Sequence, residues 1–356
     1  MCGYRIAHFG LKRQYSNLKD ELLQASHDAL KDGQLMGGHF TRSFEEWLKH
    51  RTKTKYAVTV HSGTQALEII AKYYKQHVYC KQDNVHPTPR IKIPNITYPA
   101  TLNAFMSSGY TPILEDTDKY GIIQQAPYSI VCLVGLYGRV PWSDIDISKR
   151  TSVIVDGAQH WLEADGQVGL GMAISFDPTK NLSASGNGGA IVTNNEQLYL
   201  FAAAHRDNNK PYFHDVGTNS KMSEQDCAHL LVRAKYIDKW QERRELIAGH
   251  YREQLKDLPI ILLNDGTARH ANQKFVIYSG QRNTIHTSML SCGIETKIHY
   301  EYTLGDLDIS TSLTKPDMLG ISVMLSRGVL SLPIYPELTD SEVEHVANTL
   351  RGVFLD

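Results

Sequence analysis

An acid and a lysine follow two apolar segments between Val153 and Gly189, which makes this the most informative stretch of the sequence. It reads VIVDGAQHWLEADGQVGLGMAISFDPTKNLSASGNGG. Asp156 ends the first apolar segment, Ser175 lies in the second, and Lys180 follows five residues later, before a glycine-rich turn. If both segments are parallel strands, their carboxyl ends meet at the edge of the sheet where α/β proteins bind ligands. The two side chains are then expected to face one ligand.

An aspartate and a lysine at such an edge suit pyridoxal phosphate. This cofactor needs a lysine to carry it as a Schiff base and a carboxylate to keep its pyridine nitrogen protonated. Lysine is also the side chain whose pKa moves most readily on burial, as a base and nucleophile requires. Taken alone, Asp156 would be read as a turn residue and Lys180 as a solvated one. Together they predict a pyridoxal phosphate site.

A second segment, His61-Ser62-Gly63-Thr64-Gln65-Ala66-Leu67, has the features of an anion-binding turn. It follows the strand predicted at Tyr56–Val60 and opens a helix predicted to run to about Tyr74. Small residues at a helix N-terminus leave backbone N–H groups free and aligned with the helix dipole. Serine and threonine are also ordinary N-cap residues, so this segment alone is a weak signal. Beside the lysine and the acid, it is the predicted phosphate seat.

The elements that must position these residues form an alternating pattern between about residues 55 and 195. Short runs rich in β-branched residues alternate with helical patterns, which is typical of βαβ units in a mostly parallel sheet. Several runs are apolar throughout, as strands covered on both faces are expected to be. The predicted fold class is α/β. The predicted strands are Tyr56–Val60, Ile91–Ile93, Pro112–Leu114, Ser129–Val134, Ser152–Val155, Ala173–Phe176 and Ala190–Thr193.

The C-terminal part predicts a smaller α+β domain. Apolar residues recur at helical spacing from Ser223 to Leu255, which predicts one long helix or two abutting helices. The last helix begins with the capping box Thr339-Asp340-Ser341-Glu342. We assign residues 1–240 to a large domain with an N-terminal arm and residues 241–356 to the small domain. The elements predicted between these helices are strands at Lys274–Tyr278, Glu295–Tyr300 and Val329–Leu332 and a helix at about Thr284–Leu290.

Composition and charge exclude several classes of protein. The 356 residues are 42% apolar and 21% charged, which is typical of a globular chain of about two domains. Because 37 basic residues nearly cancel 38 acidic ones, no basic excess favours nucleic acid or an anionic membrane as a partner. Neither a signal peptide nor a membrane span is predicted, so we expect a cytoplasmic protein. The five scattered cysteines are predicted to be reduced, and no histidine or cysteine spacing predicts a metal site.

The sequence resembles the DegT/DnrJ/EryC1/StrS family, the sugar-nucleotide aminotransferases of fold type I. The resemblance runs nearly from end to end, and its strength lies in the order and spacing of the motifs. It implies a mostly parallel seven-stranded sheet flanked by helices, with a smaller C-terminal α+β domain. The matching stretches are GLKRQYSNLKDEL, VTVHSGTQALE, IPNITYPATLNAFMSSGYTPILEDTD, LVGLYGRV, VIVDGAQ, ISFDPTKNLSASGNGGAIVTNNE, GTNSKMSEQDCAHLLVRAKYIDKWQERRE, GIETKIHY and VLSLPIYPELTDSEV.

The resemblance implies a role for each residue of the cofactor site. Lys180 in TKN corresponds to the lysine that carries pyridoxal phosphate and shuttles protons. Asp156 corresponds to the carboxylate under the pyridine nitrogen. The remaining implied contacts are an aromatic side chain stacked on the ring, a residue beside the 3-hydroxyl group and three phosphate ligands, which correspond to Tyr98, Gln159, and Gly63, Thr64 and Ser175.

The resemblance also implies substrates and a partner. The reaction would transfer an amino group from an amino acid, L-glutamate, to a nucleotide-linked 3- or 4-keto-6-deoxyhexose by a ping-pong cycle. His160, His299 and Tyr300 are expected nearest the substrate because they adjoin the cofactor motifs. Asn219 in GTNSK corresponds to an asparagine that reaches the phosphate of the partner subunit, which implies a homodimer with shared active sites.

Two alternatives stay open. One is a 3-dehydratase of the same family, in which a histidine replaces the lysine, and the other is a non-catalytic regulatory homologue. Retention of Lys180 argues against the first, and retention of the whole cofactor set argues against the second. The sequence also departs from the family pattern, with an insertion around residues 75–90 and with Asp177 where an aromatic residue or histidine is common.

Overall fold

A seven-stranded sheet forms the centre of the large domain. The computed structural model describes residues 6–31, 33–81, 88–123, 130–142, 146–211, 213–315 and 320–354. The sheet has the order β1-β7-β6-β5-β4-β2-β3, and β7 alone runs antiparallel to its two neighbours. The predicted mostly parallel α/β sheet is confirmed. Its strands are β1 (Tyr56–Val60), β2 (Arg90–Pro94), β3 (Thr111–Glu115), β4 (Val131–Val134), β5 (Val153–Asp156), β6 (Gly171–Ser175) and β7 (Gly189–Thr193).

Helices cover both faces of this sheet, so its strands contribute to two cores. Along β4, Val131 and Leu133 belong to one core and Cys132 and Val134 to the other, as the two-residue period of a strand requires. This is why the central strands are apolar throughout. In chain order, the α-helices of the two domains are α1 (Leu11–Lys31), α2 (His39–Thr52), α3 (Gly63–Tyr73), α4 (Ala100–Ser107), α5 (Glu196–His205), α6 (Glu224–Ala234), α7 (Ile237–Leu255), α8 (Arg282–Ser291), α9 (Ile321–Gly328) and α10 (Asp340–Gly352).

The long helical region consists of two abutting helices, α6 and α7. The second of them connects the two domains, because Ile237 packs in a core of the large sheet whereas Ile247 and Tyr251 pack in the core of the small domain. The division predicted at residue 240 falls inside this helix. The N-terminal arm was assigned to the large domain, yet its residue Ile6 packs in the small-domain core and pairs with Ile294.

The small domain contains a three-stranded antiparallel sheet of order β10-β9-β8. Its strands are β8 (Ile261–Leu262), β9 (Phe275–Tyr278) and β10 (Val329–Leu332), of which the sequence pattern missed the first. The strand predicted at Glu295–Tyr300 is wrong. Within that segment the Glu295 N–H donates to the Ile6 carbonyl, whereas Lys297 exchanges backbone hydrogen bonds with Ser331. The segment therefore forms isolated bridges instead of a ladder. The predicted capping box is confirmed, because Thr339 and Glu342 each accept the other's backbone N–H at the start of α10.

A few sequence predictions fall partly outside the described residues. The insertion around residues 75–90 continues α3 as a π-helical turn at Tyr74–Val78, and its residues 82–87 lie outside. So do Cys2 and Ser129, whereas Cys80, Cys132, Cys227 and Cys292 are free thiols. In the ranges described, no helix is both long and apolar enough to cross a membrane. The same ranges contain no group of three metal-ligating side chains.

Candidate active site

A cavity of about 540 Å³ lies at the carboxyl ends of β4, β5 and β6, where the small domain packs against the large sheet. Nine of the eleven site residues expected from the sequence line it, although they are spread over more than 230 positions of the chain. These residues are Gly63, Thr64, Tyr98, Asp156, Gln159, Ser175, Lys180, His299 and Tyr300.

Asp156 is the last residue of β5, and its carboxylate is held by two donors. The Thr101 hydroxyl donates to Oδ2 at 2.8 Å, and the Ala158 backbone N–H donates to Oδ1 at 3.1 Å. Burial raises the pKa of Asp156, while these two hydrogen bonds and the charge of Lys180 act in the opposite direction. The carboxylate is therefore fixed in orientation, and a cation placed beside it would favour its ionised form.

Lys180 projects into the cavity from a tight turn after β6. Asp177 builds that turn, because its Oδ1 accepts hydrogen bonds from the backbone N–H of Thr179 at 2.9 Å and from the Thr179 hydroxyl at 2.6 Å. The Lys180 N–H donates to the Asp177 carbonyl at 2.9 Å. Burial lowers the pKa of Lys180, and the carboxylates of Asp156 and Asp177 act in the opposite direction. A larger fraction of neutral amine is thus available as nucleophile and base than for a solvated lysine.

The N-terminus of α3 borders the cavity as the anion seat expected from the sequence. The side chain of Ser62 caps the helix by accepting from the Gln65 N–H at 3.1 Å. The N–H groups of Gly63 and Thr64 lie in the first turn of α3, where the helix itself offers them no acceptor. A Cβ on Gly63 would lie 2.9 Å from the Ser175 Cβ, so glycine allows the helix to start directly against β6. The backbone N–H groups of Gly63 and Thr64 and the hydroxyl groups of Thr64 and Ser175 can then converge on one anion.

Gln159 connects the cofactor side of the cavity to the small domain. Its Oε1 accepts from the Tyr137 N–H at 2.7 Å, and its Nε2 donates to the Tyr300 hydroxyl at 3.2 Å. The Tyr137 hydroxyl in turn donates to the His299 carbonyl at 2.5 Å. Tyr300 faces Tyr98, with ring centroids 6.0 Å apart, and Tyr98 is 60% exposed. An exposed ring at the cavity wall is available to stack on a planar ligand.

His299 is held in the neutral form at the other end of this network. Its Nδ1 is hydrogen-bonded with the Ser331 hydroxyl at 2.8 Å. Burial lowers the pKa of His299 far below its usual value, and the charge of Lys274 acts in the same direction. A neutral imidazole at this place can accept or donate a hydrogen bond without adding charge to the cavity.

The structure does not bring His160 or Asn219 into the cavity of this chain. His160 is fully buried behind Gly135, where a side chain on that glycine would collide with the imidazole, and it packs edge-on against Trp142. Burial lowers its pKa to about 3. The expected substrate contact at His160 is therefore not supported. Asn219 is exposed, pairs through its backbone with Asp207 and does not line the cavity of its own chain.

Sequence reasoning missed several residues of the site, and two of them bear on its chemistry: Thr101, which is buried behind the cavity against Asp156, and Lys274, which lines it. Thr101 follows Tyr98 by three residues in the TYPAT motif, so the turn that starts α4 carries it toward the carboxylate. Lys274 lines the cavity from the segment before β9. The charged first residue of the strand predicted at Lys274–Tyr278 was the available signal for it.

The sheet order, the small C-terminal domain and a lysine and carboxylate at one cavity define a fold type I transferase. The chain belongs to the DegT/DnrJ/EryC1/StrS aminotransferase family, whose sequence profile matches residues 16–127 and 142–351. The family resemblance and the expected transaminase class are thereby confirmed.

Relatives match along nearly the whole chain. The erythromycin biosynthesis sensory transduction protein EryC1 of Saccharopolyspora erythraea is 29% identical, over 98% of this chain and 99% of its own length. The dTDP-3-amino-3,4,6-trideoxy-alpha-D-glucose transaminase of Streptomyces venezuelae is 28% identical, over 98% and 96%. The solved structure of S. venezuelae DesV in complex with a ketimine intermediate is similar with a TM-score of 0.87, at 25% identity, over 98% of each chain.

Proposed function

We propose that this protein is a pyridoxal phosphate-dependent aminotransferase that converts a nucleotide-linked keto-sugar into the amino sugar, with L-glutamate as donor. The observation that carries the proposal is that Lys180 and Asp156 line one cavity together with the N-terminus of α3. The name of the Streptomyces venezuelae transaminase supports a nucleotide sugar as substrate class. The same observation argues against the 3-dehydratase and the non-catalytic homologue, which have no need of this lysine.

Each chemical group of the proposed cofactor has a suitable partner among the residues of the cavity. The amine of Lys180 suits an aldehyde, the carboxylate of Asp156 suits a protonated ring nitrogen, and Tyr98 suits the face of an aromatic ring. The phosphate would be held at the start of α3, where the missing Cβ of Gly63 leaves room against Ser175. When bound, the cofactor supplies an electron sink for the carbanion formed at the substrate carbon that loses a proton.

The side chains of the site would then have separate roles in the reaction. Lys180 Nζ accepts the proton from Cα of the donor, since burial keeps a larger share of this amine neutral. Asp156 holds a proton at the ring nitrogen through a charge-assisted hydrogen bond, and Thr101 fixes the orientation of that carboxylate. Gln159 orients the Tyr300 hydroxyl toward the same cavity. With the keto-sugar bound, Lys180 returns a proton to the carbon that receives the amino group.

The substrate class can be tested with the enzyme in its amino form, without a donor. We expect a nucleotide-linked 3- or 4-keto-6-deoxyhexose to restore the visible absorbance of the aldehyde form in a single turnover. The matched control is the same keto-sugar without its nucleotide, which should react far more slowly. If 2-oxoglutarate restores the absorbance and no sugar in a panel of dTDP- and UDP-linked substrates does, the proposed sugar acceptor is wrong.

We further propose a cytoplasmic homodimer in which each subunit contributes Asn219 to its partner's site. This asparagine is exposed and does not line the cavity of its own chain. It lies 39 residues beyond Lys180, and the Ser220 carbonyl beside it accepts from the His61 N–H at the cavity rim, so its exposed side chain is available to a partner subunit near the site. A two-fold contact would create two composite sites.

Mixing two inactive variants tests the shared site. Lys180→Ala and Asn219→Ala chains should regain activity on mixing, because each heterodimer has one site with both defects and one with neither. A full random exchange makes half of the dimers heterodimers, so about a quarter of the wild-type site activity is expected. Mass spectrometry of the intact dimers verifies that subunits exchange. Verified heterodimers without any gain over the separate variants would contradict the composite site.

A further inference from the structure

A second lysine, Lys274, lies in the wall of the cavity without an acidic partner. It is 4% exposed, and its Nζ donates to the Gln273 Oε1 at 2.5 Å. Within the described part of the chain, no carboxylate lies within ion-pair distance of its Nζ. A buried lysine amine whose side-chain hydrogen-bond partner is an amide is unusual, since lysines that are buried are normally paired with an acid.

The surrounding backbone fixes this lysine in place. Its N–H donates to the Tyr137 carbonyl at 3.0 Å, and the Ala271 N–H donates to the Gly138 carbonyl at 2.7 Å. The neighbouring Gln273 side chain donates to the Thr179 carbonyl at 2.9 Å, one residue before Lys180. The segment that carries Lys274 is thus attached to the turn that carries Lys180.

The electrostatics of this wall favour an anion. Burial lowers the pKa of Lys274 well below its usual value, the charges of Lys180 and Arg244 act in the same direction, and Asp177 opposes them. The charge of Lys274 also contributes to the lowered pKa of His299 and His8. An anion that entered the cavity beside Lys274 would stabilise the ammonium form and offset its desolvation.

We propose that Lys274 binds a carboxylate carried by the substrate that reacts at Lys180. This proposal rests on the proposed function, because it assumes a donor or an acceptor bound at Lys180. An α-amino acid fits best, since its α-carboxylate is attached to the carbon that bears the reacting nitrogen and must therefore lie near Lys180. An acceptor that is a sugar acid is the second source of the same group.

The test compares the wild-type holoenzyme with Lys274→Met, which keeps most of the length of the side chain and removes its amine. The first readout is calorimetric binding of 2-methyl-L-glutamate, which has no α-proton and cannot complete the reaction. We expect the dissociation constant to rise about 10- to 100-fold in the variant. The second readout is the half-reaction with 4-aminobutanoate, which lacks the α-carboxylate and should react equally with both proteins.

Two further arms complete the test. If the loss is confined to a keto-sugar acid and spares 2-methyl-L-glutamate, the carboxylate belongs to the acceptor. The proposal would be overturned if the wild type and Lys274→Met had equal dissociation constants for 2-methyl-L-glutamate and equal rates with the keto-sugar acid. It would also be overturned if the variant lost as much with 4-aminobutanoate as with 2-methyl-L-glutamate. Lys274→Gln provides a second variant if Lys274→Met does not fold. A wild-type enzyme that reacts with no amino donor at all would instead refute the proposed function.

Discussion

Replacing Lys180 with alanine is expected to lower the rate of transamination by at least about 10³-fold, because one side chain serves as both nucleophile and base. In the wild-type protein, borohydride reduction of the bound cofactor should leave a stable adduct on Lys180. Peptide mass spectrometry locates it. The lowered pKa that burial gives Lys180 supports this assignment, since the neutral amine is the reactive form.

Lys274 is the matched control for this prediction, because it is a second lysine in the same cavity and is more deeply buried than Lys180. Lys274→Met should keep the adduct on Lys180, and Lys180→Arg should lose it, although arginine retains the charge. An adduct found on Lys274, or no adduct with excess cofactor, would show that the catalytic lysine has been misassigned.

Replacing Asp156 with asparagine is expected to slow transamination while the protein stays folded. A hydrogen bond to a charged group is worth about 1.5–3 kcal/mol, so its loss alone predicts roughly a 10- to 150-fold lower rate. The measurement is the rate of the donor half-reaction in a stopped-flow spectrometer. Thr101→Val is the graded control, because it keeps the carboxylate and removes only one of the two donors that orient it. Its effect should be several-fold smaller.

The direction of the pKa shift at Asp156 predicts how the stability of the protein depends on pH and on the substitution of this residue. Because burial raises the folded-state pKa of this carboxyl, its contribution to stability is largest below the unfolded pKa and falls as the pH rises through the folded value. Without cofactor, Asp156→Asn should therefore unfold at the same temperature as the wild type, or at a higher one, at neutral pH. A much lower unfolding temperature together with lost activity would assign Asp156 a structural role.

The elements of the large domain follow from the sequence because their signals are local. The period and apolar content of the strands define β1 to β7 within about two residues, and the spacing of Asp156 and Lys180 places both at the carboxyl edge. Nothing local specifies which side chains the small domain brings to that edge. Lys274 was missed for this reason, since its position depends on bonds to Tyr137, more than a hundred residues earlier.

His160 is a residue that the sequence places near the substrate and that the structure buries away from the cavity. It adjoins Gln159 in sequence, but the two side chains diverge, because Gly135 leaves space for an imidazole behind the strand while the amide of Gln159 is held by Tyr137. The strand predicted at Glu295–Tyr300 failed for a related reason. Its apolar pattern is suitable, yet Ile6 and Ser331 already take the backbone groups that a ladder needs. Both outcomes depend on contacts between distant segments, which periodicity does not encode.

The bond from the Tyr137 hydroxyl to the His299 carbonyl has a consequence for synthesis of the chain. It joins positions 162 residues apart, and the bond from Gln159 to Tyr300 joins positions 141 apart, so the cavity wall closes only after residue 300 has been made. At roughly 5–20 residues per second, the ribosome takes roughly 6–24 seconds to pass from Lys180 to Tyr300. During that interval the nascent sheet carries its lysine and carboxylate without the opposite wall. A complete ligand site therefore forms after most of the polypeptide has left the ribosome.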